Sequence, residues 1–320
     1  MLTLIYDTVR RYGLSSEQAA RLWDCAQPGE PPAGWVQRLW RSLLVVAALL
    51  LGAGLIFWIA AQWPEQTRSF KLHVLQAAVA LPVLVAALVA RVRVPALLLA
   101  TLALGGLLAF VGQTYQTGAD AWQLFATWAA LALVWVLVVR SDGLWALWLV
   151  IAGAALALWG SMYSLWGVLH GVNLLQVYGR EVLPWLVLWL LPLALPRLGP
   201  VALEQNRISR TVGAALALAA WTGHGMHAVL RSDFLLVVYL GTALLVALVL
   251  WQARRRHDMA VLGLGLLAAN VLWLSGIGRW LFDGLEASGS GGFLLMTLLM
   301  AASVGGSVHW LYQQQKRGDA

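Results

Sequence analysis

Between Ser42 and Tyr312 the chain is written as ten apolar runs of roughly twenty residues, and short interruptions between them hold most of the charge. The runs lie near residues 42–61, 72–90, 94–112, 121–139, 144–162, 183–199, 211–230, 234–252, 259–277 and 292–312. An α-helix needs about 20 apolar residues to cross roughly 30 Å of hydrocarbon, and that is the length that recurs. In lipid, backbone N–H and C=O groups must bond within their own segment, and a barrel strand would alternate polar with apolar residues, which these runs do not. The pattern predicts an all-α fold: a polytopic transmembrane helical bundle of about ten spans. Composition agrees, since 61% hydrophobic and 11% charged residues compare with about 45–50% and about 25% in soluble domains. So few charges cannot cover a water-facing surface, and the lipid bilayer is the partner the apolar excess demands. The same figures exclude a disordered chain, a collagen-like rod and a nucleic-acid-binding domain.

Cationic residues between the runs set an orientation. With both termini cytoplasmic, sixteen of the 21 Lys and Arg fall on inner segments, including Arg91, Arg93, Arg140, Arg207, Arg210 and Arg254-Arg255-Arg256. Only Arg68, Lys71, Arg180, Arg231 and Arg279 fall outside. Carboxylates split eight against six, as expected when positive charge alone sets topology. The net charge of +7 is therefore read as orientation rather than affinity for phosphate. Tryptophans fall near inner ends (Trp35, Trp40, Trp145, Trp251, Trp310) and outer ends (Trp63, Trp122, Trp159, Trp185, Trp280), the expected interfacial belts. Gly52, Gly54, Gly153, Ala157 and the pairs Ala301–Gly305 and Ala302–Gly306 are expected at close helix contacts. Pro82, Pro192 and Pro196 are expected to kink the second and sixth spans.

The organisation divides in four. Residues 1–27 read as a small cytosolic helical hairpin, broken at Gly13-Leu14 and restarted by Ser15 with Gln18 in capping-box spacing. Residues 28–41 are a Pro/Gly linker and membrane-proximal segment, 42–312 the transmembrane domain, and 313–320 a cytosolic tail. The first apolar run starts too late and runs too long for a signal peptide.

Chemistry is sparse. No span carries Asp, Glu, Lys or Arg away from its ends, which argues against a carboxylate proton relay but leaves a route for a neutral or weakly polar solute open. The outer loop after the third span, Gly112-Gln113-Thr114-Tyr115-Gln116-Thr117-Gly118-Ala119-Asp120, is polar and free of positive charge. Gln113, Tyr115, Gln116 and Asp120 either line a mouth or cap two helix ends, Asp120 being a natural N-cap. His224 and His227 share a helix face, and with Asp120 or Glu181 they would suit a metal; packing among Gly223 and Gly225 is the plainer alternative. No metal or cofactor is assigned. Asn270 and Gln76 read as buried helix glue, and the arginine triplet as a topology anchor with some attraction for anionic lipid. The chain contains no GxSxG, HExxH, P-loop or CxxC signature, and Cys25 stands alone.

Several stretches of the first 140 residues are not generic membrane sequence: Gly13-Leu14-Ser15-Ser16-Glu17-Gln18, the end of the first span at Ala60-Ala61-Gln62-Trp63, Lys71-Leu72, and Gly112-Gln113-Thr114-Tyr115-Gln116 with Asp120 before Trp122. In these the chain resembles the bacterial predicted membrane proteins catalogued as domain of unknown function 2157. The resemblance implies a multi-pass protein of the bacterial inner membrane, with no known reaction or ligand. It groups Gln62, Trp63, Gln113, Tyr115, Gln116 and Asp120 as one outer-face set. Three functions stay open: a small-solute transporter or permease-like protein with an unknown substrate, a sensor or assembly factor acting through a protein partner at residues 1–27, and a metal-dependent enzyme at His224 and His227.

Overall fold

A computed structural model describes residues 9, 12–19, 21, 35–61, 67–115, 118–170, 182–195, 206–230, 236–284 and 290–318. Among them there is no strand. Ten helices follow in order: α1 Trp35–Ala61, α2 Arg68–Leu88, α3 Arg93–Tyr115, α4 Ala121–Val138, α5 Asp142–His170, α6 Leu183–Ala194, α7 Arg207–Leu230, α8 Leu236–Arg255, α9 Met259–Arg279 and α10 Ser290–Gly318. Each grows from one apolar run. α1 begins at Trp35, inside the segment read as linker, and α10 continues past residue 312 into the expected tail. Of the hairpin, the described residues include the capping box: the Ser15 N–H donates to Gln18 Oε1 at 3.0 Å, and the Gln18 N–H to Ser15 Oγ at 3.3 Å. Residues 1–8, 10, 11, 20 and 22–34, and Pro196, lie outside the described residues.

Among the described residues eight helices are long and apolar enough to cross a membrane: all of the ten but α6 and α7. α6, at 12 residues, covers about 18 Å as described. α7 has the length, 24 residues or about 36 Å, but not the composition, because it carries Arg207, Ser209, Arg210, Thr211, Thr222, His224 and His227. Its surroundings account for this. α7 packs against α5, α6, α8 and α9, so most of its surface meets protein instead of lipid. α3 holds the matching place in the first half, packed against α1, α2, α4 and α5. The two groups share α5, and α10 leans chiefly on α9.

Lipid is as apolar as leucine, so helix association there rests on close packing and hydrogen bonds. Gly52 of α1 meets Leu102, Gly105 of α3 the Trp128 ring, Gly153 of α5 Leu216, and Gly265 of α9 Leu250. Gly54, Gly305 and Gly306 face open space, and Ala157, Ala301 and Ala302 are exposed, so these expected contacts are not made within the chain. Spacing allows close approach but does not choose the face. Trp145 and Trp185, expected in the interfacial belts, are 2% and 8% exposed and belong to the core. Pro82 sits within α2, and Pro192 two residues before the end of α6.

Indole N–H groups stitch the first half. Thr101 of α3, 1% exposed, accepts Trp135 Nε1–H on its hydroxyl at 2.9 Å and Trp128 Nε1–H on its carbonyl at 2.8 Å, both from α4. Trp148 of α5 donates to the Ala129 carbonyl of α4 at 2.9 Å. An indole is mostly hydrocarbon with one donor, which suits a helix seam in lipid.

Candidate functional site

The polar chemistry of the bundle collects along α7. Its first turn leaves backbone N–H groups unbonded, and these form the positive end of the helix dipole. The Asp142 carboxylate, at the start of α5, meets them: Ile208 N–H donates to Oδ2 at 2.7 Å and Ser209 N–H to Oδ1 at 2.9 Å. Asn206, just before α7, donates its amide to the Pro192 carbonyl of α6. Proline has no N–H, so Pro192 leaves the Leu188 carbonyl without its helical donor. Gly213 of α7 packs onto that carbonyl so closely that a Cβ there would lie 2.9 Å from the oxygen.

One turn further, the Arg210 guanidinium reaches Asp258 Oδ2 at 3.1 Å, with side chains 22% and 7% exposed. Asp258 is also the N-cap of α9, accepting from the Val261 N–H at 3.4 Å through its other oxygen. A single carboxylate thus closes α9 and ties it to α7. Such a charge is stable in a buried place only while its partner is present.

Midway along α7, Trp221 is fully buried, edge-on to Trp189 of α6 at 6.0 Å between ring centres. Its Nε1 and the neighbouring Thr222 Oγ1 are buried with no hydrogen-bond partner among the described residues. A Cβ at Gly225 would lie 2.5 Å from Thr242 Oγ1 and Leu272 Cδ2, so α8 and α9 close on α7 there. At the far end Arg279 donates to the Val229 carbonyl, and Tyr239 of α8 donates to Leu272 O of α9 at 2.9 Å. Asn270, 8% exposed, donates to Ser307 Oγ at 2.8 Å and accepts from Ser303, joining α9 to α10. The helix-glue reading fits Asn270; Gln76 is exposed and does not serve in that way.

The residues singled out from the sequence are scattered by comparison. Gln113 is exposed and Tyr115 is 64% exposed at the end of α3. Asp120 stands as the N-cap of α4, its N–H donating to Gln123 Oε1 at 3.1 Å. No hydrogen bond among the described residues joins the three, and Gln62, Trp63 and Gln116 lie outside the described residues. His224 is half-buried and His227 exposed. Among the described residues no three His, Cys, Asp or Glu side chains group as a metal site would require, and Glu181 is outside them. Sequence reading missed Asp142, Asn206, Arg210 and Asp258. Asp258 ahead of an apolar run carries a legible N-cap signal. Its pairing with Arg210, 48 residues away, does not show in a single sequence.

An eight-helix apolar set with a polar hub is the architecture of an integral membrane protein, and the comparisons agree. Residues 9–145 match the family model described as Predicted membrane protein (DUF2157). The DUF2157 match takes in α1 to α4 and ends in the first turn of α5. Asp142 falls inside it, whereas the helix it caps falls outside. No curated protein and no solved structure matches the chain significantly.

Proposed function

We propose that the chain is a small-solute transporter of permease type in the bacterial inner membrane, with ten spans and both termini cytoplasmic. Its main support is α7. The most polar of the long helices sits among four others and away from lipid, and two of its buried polar atoms, Trp221 Nε1 and Thr222 Oγ1, lack partners among the described residues. An unmet buried donor is costly by about 1–3 kcal/mol, and a passing solute with acceptor oxygens would meet it. The missing intramembrane carboxylates favour a neutral or weakly polar solute over a proton-coupled one. With ten spans, α7 counts as a crossing because four helices surround it, and α6 because the apolar run it grows from, residues 183–199, is longer than the described helix; the charge asymmetry of the loops favours cytoplasmic ends.

Uptake of a panel of neutral polar solutes into liposomes containing the purified protein tests this reading. At least one solute should enter faster than into empty vesicles, and Thr222→Val and Trp221→Phe should each slow it severalfold at unchanged helix content. Uptake unaffected by both variants would sink it. For topology, in a Cys25→Ser background, Ser141→Cys should react with an impermeant thiol reagent only after the membrane is opened, and Gly118→Cys without opening it.

A second reading, a sensor or assembly factor acting through a partner of residues 1–27, draws on the reciprocal Ser15–Gln18 cap, which fixes a helix start outside the spans. Deleting residues 1–33 would then abolish activity while the bundle still inserts.

A further inference from the structure

α7 and α9 pack side by side and run the same way, since they are tied start to start and end to end. At the starts, Nη2 of Arg210, in the first turn of α7, donates to Oδ2 of Asp258, the N-cap of α9, at 3.1 Å. At the other ends, Arg279, the last residue of α9, donates to the carbonyl of Val229, next to last in α7. Both latches are guanidinium groups reaching across the seam, and each stands at a helix terminus, where hydrocarbon gives way to headgroups and water.

Between the latches the seam is small and apolar. Ala214, Ala217 and Leu218 of α7 share one buried cluster with Val261, Leu262, Ala268 and Leu272 of α9. Gly225 lets Leu272 approach so closely that a Cβ there would lie 2.5 Å from its Cδ2. Apolar contact has no direction, so it holds the two helices together while the latches fix their tilt. α6 goes with α7: the Asn206 amide is bonded to the Pro192 carbonyl, and the Trp189 ring stands edge-on to Trp221. The inner latch is also lightly made. Arg210 gives Asp258 one bond instead of the two-pronged fork, and its Nε is buried with no hydrogen-bond partner among the described residues. The buried, unpartnered Thr222 Oγ1 lies between the latches, about 18 Å along α7 from Arg210 and about 10 Å from Val229.

We propose that the two latches are the gates of the solute path, Arg210–Asp258 closing its cytoplasmic end and Arg279–Val229 its outer end, and that the structure, with both made, is the occluded state. This deepens the transport reading and rests on it and on its topology. Release of one latch tilts the α6–α7 pair away from α9 at that end and opens Thr222 to one side of the membrane only.

The test is one-sided thiol labelling of the full chain in membrane vesicles of either orientation. Thr222→Cys in a Cys25→Ser background supplies the target, and a small impermeant methanethiosulfonate cation is the probe. Asp258→Asn keeps a good N-cap for α9 and removes the charge; it should speed labelling from the cytoplasmic side about tenfold and leave the outer side unchanged. Arg279→Met should do the reverse. Thr101→Val, which loosens the other half of the bundle, should change neither. Should Asp258→Asn fail to fold, Arg210→Lys keeps a charge for Asp258 on a different reach and should give the same one-sided gain at smaller size. Equal acceleration from both sides, labelling that neither latch variant moves, or acceleration by Thr101→Val would overturn the proposal. Labelling needs no solute, so the gates and the transport reading fail separately: uptake with unsided labelling removes the gates alone, and sided labelling without uptake of any solute removes transport and leaves the latches controlling access to Thr222.

Discussion

α3 and α7 each stand inside a ring of neighbours, and the rings share α5, yet different chemistry holds them. Around α3 the seams are apolar side chains, tight glycines and neutral indole N–H bonds to Thr101 and Ala129, with a single guanidinium, Arg93, donating to the Ala86 carbonyl of α2 at the start of the helix at 3.1 Å. Around α7 they are carboxylates, a guanidinium and a carboxamide gathered at one end, with unpartnered polar atoms further along. The first arrangement is robust because no single bond carries a charge into the core. The second concentrates its stability in a few groups that fail badly when one is removed. A half that has only to stay folded in lipid is well served by the first; a helix that has to remain polar inside a bundle needs the second.

The contrast can be broken from the α7 side. Arg210→Ala leaves the Asp258 carboxylate buried and alone, and should cost about 3–5 kcal/mol. Thermal unfolding in mild detergent measures the loss, and hydrogen exchange should place it in α7 to α9 with α2 to α4 still protected; equal loss of protection in both halves would contradict the division. Asp142→Ala uncovers the start of α7 and should cost about 2 kcal/mol by the same unfolding measurement. Thr101→Val, on the α3 side, leaves the Trp135 indole without its acceptor and should cost about 1 kcal/mol. A larger effect there than at Arg210 would reverse the ranking of the halves. Smallest is Asn270→Leu, about 0.6 kcal/mol, since interhelical hydrogen bonds in membranes are weak on average; its exchange effect should be confined to α10.

Much of this fold was legible in the sequence because lipid imposes a length on each helix, and every apolar run became one. The ends were less so: α1 starts at Trp35 because Trp35, Val36, Leu39 and Trp40 continue a helical pattern that a count of apolar residues alone does not extend. The spacing of Ala301 with Gly305 says that a neighbour can come close, not that one does. Trp145 and Trp185 lie near helix ends in sequence, but the burial of an end depends on which helices surround it. The polar set at α7 was the least legible. Asp142 and Arg210 look like ordinary loop charges, and only tertiary proximity turns the one into a helix cap and the other into a counter-ion. The single-sequence reading favoured the loop at Gln113 to Asp120 because its polarity is contiguous, whereas the α7 set is gathered from three separate loops.

The clasp between Asn270 and α10 also has an order in time. α9 leaves the ribosome before α10, so Asn270 enters the bilayer while Ser303 and Ser307 are still unsynthesised or in the exit tunnel. During that interval the Asn270 amide has only the Leu266 carbonyl of its own helix, at 2.8 Å, to turn to. A chain stalled between residues 284 and 303 therefore presents a carboxamide to lipid that a chain with α10 in place does not. The clasp is worth little as a weld, but it makes a membrane-inserted chain chemically different before and after α10 arrives.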